Sequence, residues 1–287
     1  MTLGDRSVPL GPPAAGRILM FGCGNMGGAM LLRWLAAGLD PKQVTVISPS
    51  ERALPQGVRV LPYYDPVELH ERCPGDDDFE TIVLAMKPQQ LRAATDMFVG
   101  GMVPRLLISI LAGVDLARLE QVCATGMTLR AMPNLPVGIG KGVVALHANE
   151  DRDGRQRAIA EALMAPLGHV EWIADEKQFD LVTALAGSGP AFLFRFVDAL
   201  ADAGRALGLP GEQARRLALA TVEGAAAMAA AAAESPATLA DRVASPGGST
   251  REGLNVLDAD GALVDLLRRT LAASAKRNAE LAAAARA

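Results

Sequence analysis

Two hydrophobic rhythms divide the chain. Up to about Ile173 the apolar residues come in short unbroken runs separated by glycine, proline and polar clusters, the pattern of strands buried on both faces. RILMF from Arg17, QVTVIS ending at Ser48, Thr81 to Ala85, Leu106 to Leu111 and Thr128 to Met132 are such runs. Gly142 to Ala148 and Val170 to Ile173 read as closing strands. Helical stretches alternate with them, which predicts an α/β fold with a doubly wound sheet. From about Asp175 the period becomes helical. Leu193, Val197, Leu200 and Leu207 recur at helical spacing, Arg195, Asp198, Asp202 and Arg205 take the opposite face, and Gly208 and Pro210 end the helix. Ala225 to Ala233 holds one Met and no polar residue, which predicts a buried helix. A last helix is expected from about Ala262 to Ala285.

These rhythms predict a flexible arm over 1–16, a sheet domain over 17–174 and a helical domain over 175–287. A helical domain so rich in alanine buries little area by itself, so a partner subunit is expected to cover it.

Composition narrows the function. The chain has 287 residues, half of them hydrophobic, enough for one large core or two smaller ones. Aromatics make up 4% and the net charge is −4, so platforms for stacking bases and a basic surface are both lacking, and no nucleic-acid partner is expected. Three isolated cysteines, Cys23, Cys73 and Cys123, suit a reducing cytoplasm better than a disulfide framework. His70 and Cys73 alone are too few ligands for zinc, so no metal is expected. MTLGDRSVPLGPPAAG has neither a basic start nor an apolar run, and the longest apolar stretches read as too short or too alanine-rich for a bilayer. The expectation is a soluble, cytoplasmic protein.

The first run leads directly into Gly22-x-Gly24-x-x-Gly27 and then a helical pattern. Strand, glycine turn and helix together form the fingerprint of a dinucleotide-binding, Rossmann-type unit. Gly22, Cys23, Gly24, Asn25, Met26 and Gly27 are then the pyrophosphate cradle. After the second strand, where an NAD enzyme usually carries an acid, stands Ser48-Pro49-Ser50-Glu51-Arg52. Ser48, Ser50 and Arg52 suit a 2′-phosphate, which favours NADPH over NADH; alternatively Ser-Pro-Ser is simply a turn. Ala85, Met86, Lys87 and Pro88, and then Ala112 and Gly113, stand at strand ends on the edge where ligands sit. Asn134, in Pro133-Asn134-Leu135-Pro136, either presents its amide to the nicotinamide or substrate or serves as a turn residue.

VASPGGSTREGL, Val243 to Leu254, interrupts the helical half. Proline and glycine stop one helix, and serine and threonine suit the start of the next, whose free N–H groups form an anion site. Thr250 reads either as a helix cap or as a hydroxyl turned to a ligand.

FGCGNMG, AMKPQ, RAMPNLPVGIGKG, ALAGSGPAFLF and VASPGGSTREGL, in this order from Arg17 onward, resemble the pyrroline-5-carboxylate reductase family. The PGGST segment is the most specific of them. The resemblance implies a Rossmann-type domain followed by an all-helical dimerisation domain. It implies NAD(P)H-dependent reduction of 1-pyrroline-5-carboxylate to L-proline, the last step of proline biosynthesis. It also implies homodimers with interlocked C-terminal helices, often assembled into decamers, with active sites between subunits. On that reading Gly248, Ser249 and Thr250 cradle the substrate carboxylate, and the Thr250 hydroxyl lies near the ring nitrogen. Glu176 lies near the substrate, where its charge favours the iminium. The rivals are another cyclic-imine reductase, a 3-hydroxyacid dehydrogenase and a non-catalytic NADP-binding regulator. The hydroxyacid enzymes place a catalytic lysine on the first long helix after the sheet, and Ala191 to Leu207 has none.

Overall fold

The computed structural model of the chain describes residues 15–48, 54–62, 79–92, 95, 103–122, 124–149 and 154–286. It forms two compact units: the first runs to Gly187 and takes up the chain again from Ala275, and the second spans Ser188–Ser274. The first helical turns, up to Gly187, thus belong to the first unit. Of the expected flexible arm, Ala15 and Gly16 are described and are packed: Ala15 is fully buried and its carbonyl accepts from Thr81 Oγ1 at 2.9 Å.

The first unit is built on an eight-stranded sheet. Its strands are β1 (Ile18–Phe21), β2 (Val44–Ile47), β3 (Arg59–Leu61), β4 (Thr81–Leu84), β5 (Leu106–Ser109), β6 (Met127–Pro133), β7 (Gly142–Ala148) and β8 (Gly168–Trp172). Their order is β3-β2-β1-β4-β5-β6-β7-β8. The period-two alternation of β1 sends Ile18 and Met20 into one hydrophobic cluster and Leu19 and Phe21 into the other, so both faces are covered. On the first face lies α1 (Asn25–Ala36), whose Met30, Leu31 and Trp34 are fully buried; the Trp34 indole N–H donates to the Leu163 carbonyl at 2.6 Å. Leu163 belongs to α3 (Arg155–Met164), while α2 (Leu116–Glu120) buries Leu116 and Leu119 on the second face.

One strand departs from the parallel expectation. β7 runs antiparallel to β6, with Ala131 opposite Leu146. The link between them, residues 134–141, is a 3₁₀ turn ended by Gly140 at φ +70°, too short for the crossover that parallel strands require. The next link contains α3, and β8 pairs with β7 in parallel. Neither α3 nor the three-residue β3 is announced by a clear apolar run.

After β8 the chain becomes helical: a turn at Glu176–Gln178, then α4 (Phe179–Val182), then a π-helical turn at Thr183–Gly187. The second unit holds α5 (Gly189–Ala206), α6 (Gly211–Ala231), α7 (Pro236–Val243) and α8 (Ser249–Asp258); α9 (Ala262–Arg286) begins there and ends in the first unit. α5 and α6 pack through small residues: Ala201, Ala214 and Ala218 are buried, and a Cβ on Gly204 would touch Ala214 Cβ at 3.6 Å. The apolar stripe of Leu193, Leu200 and Leu207 is open in the single chain, at 46%, 40% and 90% exposure. The alanine run of α6 is likewise mostly exposed. Within Glu176–Ala206 an 18-residue window reaches a mean hydropathy of 1.2, so among the described residues one helix is long and apolar enough to cross a membrane by length and composition alone.

Candidate active site

β1 pairs with β2 on one side and β4 on the other, so the sheet changes winding direction at β1. The carboxyl ends of β1 and β4 flank a crevice at the start of α1. The three glycines answer to different demands there. Gly22 leaves β1 at φ +82° and donates its N–H to the Ile47 carbonyl at 2.8 Å; a Cβ on it would lie 2.8 Å from Ala85 and Met86 backbone atoms. Gly27 faces the sheet, where a Cβ would come within 2.7 Å of Met20 Cε and 3.1 Å of Ala85 Cβ. Gly24 is the N-cap of α1, and no described atom lies within 4 Å of a Cβ built on it. Packing therefore explains Gly22 and Gly27 but not Gly24. A ligand laid against that backbone does explain it, and a pyrophosphate at the start of α1 fits the space.

Around this crevice, Cys23 is buried, Asn25 is exposed and Met26 is partly buried. Ser48 follows β2, 7% exposed, its N–H donating to the Leu61 carbonyl at 3.0 Å. Ser50 and Arg52 lie outside the described residues. Ala85 and Met86 follow β4, and exposed Lys87 starts the turn Pro88–Gln90, its backbone N–H held by Gln90 Oε1 at 3.1 Å. Ala112 is exposed after β5, and Gly113 turns at φ +75°, where a Cβ would lie 3.0 Å from Ala282 Cα of α9. The close approach of that helix is thus sufficient reason for glycine at 113.

Asn134 and Glu176 are more engaged than their sequence reading allows. Asn134 is 6% exposed; its amide donates to the Ala186 carbonyl at 2.9 Å, and its oxygen accepts the Val143 N–H at 2.8 Å. Beside it a Cβ on Gly187 would touch Met132 Sδ at 3.1 Å. The RAMPNLP and ALAGSGP motifs therefore dock on one another, and the Asn134 amide braces the π-helical turn instead of standing free. Glu176 Oε1 accepts from the Leu116 N–H at 2.8 Å and from Arg130 at 2.6 Å. The Arg130 guanidinium also sits 4.4 Å from the centre of the Phe179 ring. Sequence reasoning missed Arg130; its signal was a lone charge inside an apolar strand.

In the second unit, α7 ends at Val243, Gly247 turns at φ +70°, and α8 begins at Ser249. The N-cap is Gly248, with no side-chain cap, so Thr250 stands one residue inside the helix and is not its cap. The turn is closed by the Gly248 N–H on the Ser245 carbonyl at 3.0 Å. Ser249 and Thr250 are exposed, and Thr250 makes no hydrogen bond among the described residues.

A glycine-fingerprint crevice at the switch point of a mostly parallel sheet, followed by a helical segment, defines a dinucleotide-dependent oxidoreductase. Comparison with known proteins agrees. Residues 17–113 match the family model described as NADP oxidoreductase coenzyme F420-dependent, and residues 176–281 match pyrroline-5-carboxylate reductase dimerisation. The pyrroline-5-carboxylate reductase of Pseudomonas aeruginosa is 36% identical over 93% of this chain and 97% of its own length. That of Synechocystis is 40% identical over 70% of this chain and 75% of its own. The solved reductase of Coxiella burnetii superposes with a TM-score of 0.78 at 32% identity, covering 93% of this chain and 98% of that one. The chain belongs to the pyrroline-5-carboxylate reductase family. The exposed apolar faces of α5 and α6 fall within the segment matched to dimerisation.

Proposed function

We propose that the chain reduces 1-pyrroline-5-carboxylate to L-proline with NADPH, as the last step of proline biosynthesis in the cytoplasm. The observation that carries this reading is the start of α8: an uncapped helix N-terminus with a hydroxyl of no other employment one residue inside it. The substrate has a carboxylate beside a ring C=N. The Gly248 N–H is taken by the Ser245 carbonyl, so within the expected cradle of Gly248, Ser249 and Thr250 it is the N–H groups of Ser249 and Thr250 that suit the carboxylate, and the Thr250 hydroxyl suits the ring nitrogen.

The bound dinucleotide supplies the hydride. Gly22 to Gly27 hold its pyrophosphate, Ser48, Ser50 and Arg52 its 2′-phosphate, and Ala85–Pro88 with Ala112 and Gly113 line its remaining length. Fixing the carboxylate orients the imine carbon for hydride addition, and orientation supplies much of the rate. As the C=N bond becomes C–N, the nitrogen takes a proton of solvent origin. Thr250 is too weak an acid to supply it alone and relays it or hydrogen-bonds the nitrogen. Asn134 and Glu176 serve by position, since the amide of one and the charge of the other are already matched within the protein. The working unit is a homodimer, with a decamer as its higher assembly.

NADPH oxidation with 1-pyrroline-5-carboxylate, piperideine-6-carboxylate and a 3-hydroxyacid series tests the reading. Preference for the five-membered imine supports it. Cofactor binding without turnover marks a non-catalytic regulator, and oxidation of a hydroxyacid marks the other class; either refutes the proposal.

A further inference from the structure

We infer that Arg251 is a positioning residue for the anion-binding turn, holding the segment Ala244–Gly248 in the shape from which α8 starts. The inference rests on the reading of that helix start as the carboxylate site. Arg251 lies in the first turn of α8, and its guanidinium donates to Asp241 Oδ1 at 2.8 Å and, more weakly, to the Ala244 carbonyl at 3.4 Å. Asp241 lies in the last turn of α7. Each residue has the wrong sign for its own helix end: a cation opposes the dipole at an N-terminus, and an anion opposes it at a C-terminus. Local helix preference therefore accounts for neither. Their pairing across the turn accounts for both.

The two contacts span the loop from outside. Within it, Gly247 turns at φ +70°, the Gly248 N–H meets the Ser245 carbonyl, and Ala244 is buried at 4% exposure. A guanidinium that grips a carboxylate and a backbone carbonyl together fixes both distance and direction, which an ammonium point charge cannot. The Asp241 side chain is 68% exposed and that of Arg251 32%, so the pair adds little to global stability. Its effect belongs to the turn. The guanidinium is turned to α7, so its influence on a carboxylate passes through the backbone of Gly248 and Ser249.

Steady-state kinetics of Arg251→Ala, Asp241→Ala and the double variant test this. Each single change should raise KM for the imine roughly tenfold, with kcat altered far less, because the loss is of binding common to ground and transition states. KM for NADPH should not move. The double variant should be no worse than the worse single one, since both remove one contact. Arg251→Lys should restore part of the affinity. Amide hydrogen exchange gives a readout free of any substrate: Ser245 to Arg251 should exchange faster in Arg251→Ala while the rest of the chain is unchanged. If Arg251→Ala is poorly soluble, Arg251→Gln answers the same question. Unchanged exchange in the turn, unchanged imine KM in an active folded variant, or losses that multiply in the double variant would overturn the inference. A wild-type enzyme that leaves the imine untouched would instead overturn the proposed function, with the exchange result still deciding the role of Arg251.

Discussion

Arg130 of β6 and Glu176 form an ion pair of 2.6 Å with side chains only 12% and 29% exposed, and the same Glu176 oxygen takes the first N–H of α2. One carboxylate thus joins the sheet, a helix on its second face and the entry into the helical half. Glu176→Gln keeps an acceptor for Leu116 but leaves Arg130 without its counter-charge. The expected cost is about 1–3 kcal/mol in chemical denaturation, with turnover lowered no more than the folded fraction. Arg130→Met in the same background should add little, since the contact is already lost. Full stability with a large loss of kcat would return Glu176 to the substrate, as the charge that favours the iminium.

The glycine fingerprint makes a sharper contrast. Gly22→Ala forces a side chain onto φ +82° and against the Ala85–Met86 backbone, so folding should suffer by roughly 1–3 kcal/mol. Gly24 has an extended backbone and open space beside it, so Gly24→Ala should fold with a stability loss of no more than about 1 kcal/mol, the cost of alanine at an N-cap. It should nonetheless bind NADPH roughly tenfold more weakly, as the methyl intrudes where the pyrophosphate lies. Fluorescence titration and thermal melts separate the two effects. Wild-type affinity in Gly24→Ala would remove the dinucleotide from that backbone.

Much of this was legible beforehand, because the sheet is buried on both faces and writes itself as unbroken apolar runs. β4 and β7 fall where the pattern puts them. The antiparallel turn of β7 was hidden because direction depends on link length, not on the strand itself. β3 and α3 lack strong periodicity and were invisible. The stripe of Leu193 and Leu200 was legible as amphipathic, but its period does not say whether its own chain or another subunit covers it. The largest gain from coordinates concerns pairs. No spacing rule links Arg130 to Glu176, Asn134 to Ala186 or Arg251 to Asp241, because those contacts exist only after folding.

Assembly follows from that exposed stripe. Val256 and Val264 are each 73% exposed and Leu207 90%, more apolar surface than a small helical unit carries alone. Dilution is expected to lower the melting temperature, and no stable folded monomer should appear. Light scattering across a concentration series is the check; a well-folded, active monomer at low concentration would remove the dimer from the proposed site.

Cofactor choice turns on Arg52, which lies outside the described residues. If Ser48, Ser50 and Arg52 hold the 2′-phosphate, Arg52→Ala should raise KM for NADPH roughly ten- to a hundredfold, the loss of one charge-assisted contact, and leave NADH nearly unchanged. Parallel titrations with both cofactors decide it, and equal losses would sink the assignment.

Thr250→Val bears on the chemistry itself. Valine keeps the shape and the β-branch and deletes only the hydroxyl. Because Gly248 is the N-cap and the Thr250 hydroxyl has no hydrogen bond among the described residues, its removal breaks nothing internal, and stability should stay within about 0.5 kcal/mol. If the hydroxyl serves the ring nitrogen, kcat/KM for the imine should fall by roughly tenfold or more. NADPH affinity should not change, since Gly22 to Gly27 belong to the other unit. Proline should still inhibit competitively, because the carboxylate cradle is mainly backbone and survives the substitution. A stable Thr250→Val enzyme with full turnover would leave hydride transfer to orientation and solvent, and reduce Thr250 to a residue that only shapes the first turn of α8.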